Sequence, residues 1–121
     1  MKNRYYFIYT LFCLVVFFGC QKNEVAVQTE TPQPIISIIN DLQTTNSDCN
    51  CHPFIKQYIW RNQNVYLLGI DDAKNQEENY VCDWIPTYYN EKGEKIEVES
   101  GYFYWDFLAD AKFVKNIWSC E

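Results

Sequence analysis

The residues best equipped for chemistry lie together in Asp48-Cys49-Asn50-Cys51-His52. Two thiolates and an imidazole so close in sequence can hold a soft metal such as Cu(I) or Zn. A complete site of that kind needs a second ligand pair. Cys82 and Cys120 stand singly and far apart, His52 is the sole histidine, and no methionine follows Met1. The pattern therefore points to disulfides among Cys49, Cys51, Cys82 and Cys120, and to no metal or other cofactor. Four cysteines allow three pairings. Cys49 and Cys51 are too close along an extended chain to bond each other well, so each is expected to reach Cys82 or Cys120.

Catalysis has less to draw on. A nucleophile needs an activating base and a group that orients the base. Ser37, Ser47, Ser100 and Ser119 sit in no motif that supplies them. Glu97 and Glu99 share one face of an extended segment and could form an acid–base pair, but a solvated strand face explains them equally well. No phosphate-binding Gly-rich loop is present. The expectation is a protein that is not an enzyme. Aromatic side chains are the other resource. Trp60, Trp84, Tyr102 and Tyr104 are candidates for a binding surface that stacks on sugars or grips a peptide. Packing inside a small sheet is the plainer use for the same rings.

Several elements must position these residues. After Pro34, the residues Ile35, Ile38, Ile39 and Leu42 recur at helical spacing, which predicts a short helix with proline at its start. Residues 54–70 alternate around Arg61-Asn62-Gln63-Asn64 and predict a β-hairpin. DDAKNQEEN reads as an exposed acidic loop and YVCDWI as a strand ended by Pro86. YYNEKGEKIEV reads as a second hairpin with Gly93 at a turn position of positive φ. Asp106 could cap a helix that either runs to the chain end or breaks near Phe113, leaving a final strand to Trp118. The fold class is thus α+β: a small antiparallel sheet of two hairpins with an N-terminal and a C-terminal helix, stapled by disulfides.

The first residues place the domain. Lys2 and Arg4 precede an uncharged apolar run from Tyr5 to Gly19. A basic start and an apolar stretch of about fifteen residues is the layout of an export signal, and it is short for a spanning helix. An ordinary cut site wants small residues at −1 and −3. Before Cys20 these are Gly19 and Phe17, which suits lipidation of Cys20 better than plain cleavage. Residues 1–19 are expected to be a lipoprotein signal peptide, 20–34 a flexible tether, and 35–121 one α+β domain. The signal holds two of the ten basic residues and no acid, so the rest carries a charge near −8. That balance disfavours nucleic acid and anionic headgroups as partners. Attachment to the membrane would rest on the N-terminal lipid. Gln21 in place of Asp after the cysteine points to the outer membrane.

With these segments placed, the chain resembles small bacterial lipoproteins of unassigned function. The resemblance lies in YIWRNQNVYLL, in VCDWIPTYYNEKGEKI and in DFLADAKFVKNIW, and covers residues 54–118 in pieces. The usual Gly-rich stretch after the second hairpin is replaced here by ESGYFYWDF. The resemblance implies a compact α+β domain held in the cell envelope and no activity. The expected role is a binding or interaction module for a protein or glycan. The alternative is a small hydrolase-like enzyme or an enzyme inhibitor of the envelope.

Overall fold

The computed structural model describes residues 29–79, 81–97 and 103–121. Cys20, the signal segment, most of the tether, Tyr80, Glu99, Ser100, Tyr102 and the side chain of Tyr104 lie outside the described residues. In chain order the elements are α1 (Gln33–Thr45), β1 (Pro53–Trp60), β2 (Gln63–Ile70), α2 (Asp72–Glu77), β3 (Thr87–Tyr89), α3 (Phe103–Asp110) and β4 (Lys112–Ser119). The strands form one antiparallel sheet in the order β3-β2-β1-β4. No helix among the described residues is long and apolar enough to cross a membrane.

The hairpin forms for the reason its sequence suggests. Period-two alternation sends Ile55 to one face and Phe54, Tyr58 and Trp60 to the other. Phe54 pairs with Gly69, Ile55 with Leu68 and Trp60 with Gln63. The turn is tighter than the four residues expected. Only Arg61 and Asn62 leave the ladder, at φ 47° and 59°, the left-handed pair that a two-residue type I′ turn demands. Residues Asn64 to Gly69 of β2 are all buried. Continuous burial identifies a strand covered on both faces.

Each face has its own core. Against one face, α1 packs Ile35 onto Ile55, Tyr66, Leu68 and Tyr89, with Ile38, Ile39, Leu42, Trp84 and Trp118 around them. Burying such aliphatic side chains contributes roughly 1.5–3 kcal/mol each. Against the other face, α3 inserts Phe107 among Trp60, Val65, Leu67 and Tyr88. Its ring lies 5.0 Å from Tyr58, 5.9 Å from Trp60 and 4.9 Å from Tyr88, in edge and tilted geometries that aromatic pairs favour. The sheet is therefore the middle layer of three.

The α+β class, the antiparallel sheet and the helices before and after its hairpin are as expected. Four local expectations are corrected. DDAKNQEEN is not a loop: Asp71 Oδ1 accepts from the Lys74 N–H at 3.2 Å and caps α2. YVCDWI makes no strand over its described residues. Val81 and Ile85 point to solvent, while Cys82 and Trp84 are drawn inward by a disulfide and a core contact. The second hairpin is abbreviated to β3 and a single bridge from Tyr89 to Lys95. Its turn is organised by Asn90, whose Oδ1 accepts from the N–H groups of Lys92 and Glu94. Finally, Asp106 lies inside α3, and the chain ends in a strand after the break, the second of the two routes anticipated.

Candidate functional site

The DCNCH stretch sits at one corner of the sheet, between α1 and β1. Cys49, Cys51 and His52 all have positive φ, at 52°, 66° and 44°. For side-chain-bearing residues that conformation costs of order 1–2 kcal/mol each. Covalent bonds hold it. Cys49 is joined to Cys120 just beyond β4, with Cα atoms 5.3 Å apart, and Cys51 to Cys82 at 5.8 Å. Both cysteines of the motif reach distant partners, as their spacing suggested. With both sulfurs in disulfides, the motif has no thiolates to offer a metal.

His52 is directed elsewhere. Its Nε2–H donates to Glu78 Oε2 at 2.9 Å, just past the end of α2. Asn75 Nδ2 donates to the Cys51 carbonyl at 3.1 Å, which ties α2 to the same loop. Two clefts open from this corner, one on each face of the sheet. The larger, about 720 Å³, lies on the α1 face between the end of that helix and β4, beside Asn46, Ser47, Asn116 and Trp118. The smaller, about 200 Å³, lies on the opposite face and is lined by His52, Lys56, Asp71, Lys74, Asn116 and Ser119. The smaller cleft thus brings His52, whose imidazole is paired with Glu78, beside two lysines.

Of the four aromatic candidates the structure describes the side chains of Trp60 and Trp84, and these lie on opposite faces of the sheet. Trp60 is 3% exposed, packed against Phe107, with the Arg61 guanidinium 4.1 Å above its ring. Trp84 belongs to the core cluster on the other face. Among the described residues, the exposed large apolar side chains are instead Val81, Ile85, Trp105, Leu108 and Phe113. Trp105 and Leu108 lie on α3 away from the buried Phe107, and Phe113 stands on β4 beside Tyr58 at 5.6 Å. Composition flagged aromatics without telling which would face outward, because that depends on the helix phase at Phe107.

Displaced titrations fall in the sheet core, away from the clefts. Burial, reinforced by the negative charge of Glu91, pushes the Tyr66 phenol up to about 12. Burial also raises Tyr89. Near Tyr66 runs a polar chain. Gln57 Nε2 donates to Asn64 Oδ1 at 3.0 Å, and Asn64 Nδ2 donates to Glu91 Oε1 at 2.6 Å. Gln57 is fully buried, so this chain satisfies polar atoms that would otherwise be costly in a core.

Sequence reasoning singled out the cysteines and His52. It missed Lys56, Asp71, Lys74 and Glu78 as their neighbours. The available signal was the Asp71 helix cap, which would have turned the supposed loop into a helix beside the CNCH motif. Comparison with protein-family models, with curated proteins and with solved structures finds no match for this chain.

Proposed function

We propose that the protein is anchored in the cell envelope through a lipid on Cys20, and that its domain is a non-enzymatic binding module for a protein or glycan. The observation that supports export most directly is the cysteine ledger. Cys49, Cys51, Cys82 and Cys120 are consumed in two disulfides, which persist in oxidising compartments outside the cytosol. Of the two that remain, Cys13 lies within the apolar run and Cys20 at its end, preceded by a small residue. Open clefts along a braced sheet corner, with exposed aromatic groups on α3 and β4, are features of a surface that meets a partner. Gln21 favours the outer membrane as the place of attachment.

Cys20→Ala tests the anchor. The variant should lose metabolic labelling with palmitate and leave the membrane fraction. Labelling that persists would sink the lipoprotein reading. Capture of a defined protein or glycan from an envelope extract by the full chain tests the binding role.

A hydrolase-like role has one observation in its favour, the pairing of His52, which lines the smaller cleft, with Glu78. His52→Ala and Glu78→Gln would then abolish turnover of ester or amide substrates. Absence of turnover by the unaltered protein across such a panel would dismiss it.

A further inference from the structure

β4 is an edge of the sheet. The strand order leaves one side of Lys112–Ser119 facing no strand among the described residues. An edge strand offers a row of backbone N–H and C=O groups to any extended chain that can lie beside it. The other edge offers less, because β3 is short and Tyr89 is already bridged to Lys95.

Both clefts lie at the C-terminal half of β4, beyond Lys115, and Asn116, Trp118 and Ser119 line each of them. Side chains alternate between the two faces of a sheet. A strand added to β4 would therefore send successive side chains into one cleft and then the other. Backbone pairing combined with alternate pockets is how sheet edges take up peptides.

Charge selects the occupant. The chain is acidic, yet four of the eight Lys and Arg beyond residue 19 gather here. Lys112 and Lys115 stand on β4, and Lys56 and Lys74 line the smaller cleft. β4 itself contains no acidic residue. Of the nearby carboxylates, Asp71 is engaged by the Lys74 N–H and Glu78 by His52. Asp110 precedes the strand, and Glu121, just past its end, lines both clefts, so the basic stretch is the one around Lys112 and Lys115. A second copy of the edge would bring Lys112 and Lys115 against their own counterparts, and like charges across strands are destabilising.

We propose that the free edge of β4 takes up an extended acidic polypeptide segment, with its carboxylates near Lys112 and Lys115 and alternate side chains in the two clefts. This names the partner class of the binding module proposed above and rests on that reading. Lys115 Nζ also donates to the Thr29 carbonyl at 2.6 Å, so the chain entering the domain passes beside the same edge and is the natural competitor.

The test is amide hydrogen exchange of the full chain with two peptides as long as β4, one alternating Glu and Val, the other Lys and Val. The Glu–Val peptide should slow exchange at β4, and the Lys–Val peptide should not. The double variant Lys112→Glu/Lys115→Glu should bind the Glu–Val peptide about tenfold more weakly and gain affinity for the Lys–Val peptide. Near-ultraviolet circular dichroism verifies that the variant is folded. Equal binding of both peptides, or protection away from β4, would overturn the proposal. So would protection of the edge before any peptide is added, which means a second copy if it rises with protein concentration and the chain's own tether if it does not. If the double variant still captures the same envelope partner as the unaltered chain, the edge proposal falls and the binding role stands. If the unaltered chain captures no partner, the binding role itself falls.

Discussion

Gly69 lies directly under the ring of Phe54, its partner across the β1–β2 ladder. A Cβ added at Gly69 would stand 2.7 Å from Phe54 Cζ, closer than carbon atoms pack. Lys56 Nζ also lies over this ring, 4.1 Å from its centroid. Gly69→Ala should therefore cost about 1–3 kcal/mol by forcing the ring aside. Urea unfolding measures the loss. Phe54→Leu in the Gly69→Ala background should recover part of it, and strictly additive losses would show that the two residues do not share the contact.

Gly93 combines two demands. Its φ is +73°, and a Cβ there would meet Pro34 Cβ at 2.8 Å. The turn after β3 is thus seated on the first turn of α1. Gly93→Ala should destabilise the domain by about 1–2 kcal/mol from the backbone conformation alone, before the contact with Pro34 is counted. Gly93→Asn, which tolerates left-handed φ better, should lose less of the conformational part. Equal melting temperatures for both variants and the parent would refute the assignment.

The disulfides should differ in weight. They close chain segments of 71 and 31 residues in sequence separation. On the chain-entropy model that corresponds to about 4–5 kcal/mol for Cys49–Cys120 and about 3–4 kcal/mol for Cys51–Cys82. Paired serine variants test the order. Losses should be non-additive, because both bonds fix the same CNCH corner. Peptide mapping without reduction should recover 49 with 120 and 51 with 82, and any other pairing would refute the corner as described.

Tyr66 gives a pH test with a defined sign. Its folded pKa is about 12, above the unfolded value near 10. The neutral phenol is the form the fold prefers. The associated stability is fully present below pH 10 and is lost as pH rises through 12. The Tyr66 hydroxyl is buried and has no hydrogen-bond partner among the described residues. Tyr66→Phe should consequently be neutral or stabilising by up to about 1 kcal/mol at pH 7, and should flatten the alkaline loss. A large destabilisation would reveal a hydrogen bond to that hydroxyl.

Phe107 is the anchor of α3, fully buried and in ring contact with Tyr58, Trp60 and Tyr88. Phe107→Ala should cost about 3–5 kcal/mol. Trp60 fluorescence should shift to longer wavelength as its cover loosens. Loss of stability with unchanged Trp60 emission would place the defect elsewhere.

Local pattern was sufficient for α1, for the β1–β2 hairpin and for the positive φ of Gly93. In each, the determining interactions lie within a few residues: helical spacing of Ile35, Ile38 and Leu42, alternation across residues 54–70, and a turn that needs glycine. The paired use of four cysteines was legible too, because Cys82 and Cys120 stand singly and His52 has no second histidine, which left little but disulfides for them. The tertiary structure alone decided who meets whom. Periodicity says which residues share a face, but not which strand lies alongside. Thus β4 pairs with β1 across the length of the chain, and segment 81–86 is held by Cys82 and Trp84 rather than by a ladder. The same holds for the aromatics. Trp60 is covered because α3 lays Phe107 over it, whereas Trp105, two residues earlier on that helix, points to solvent. Those outcomes depend on helix phase, disulfide partners and strand order, which are set by long-range packing and not by any residue's immediate neighbours.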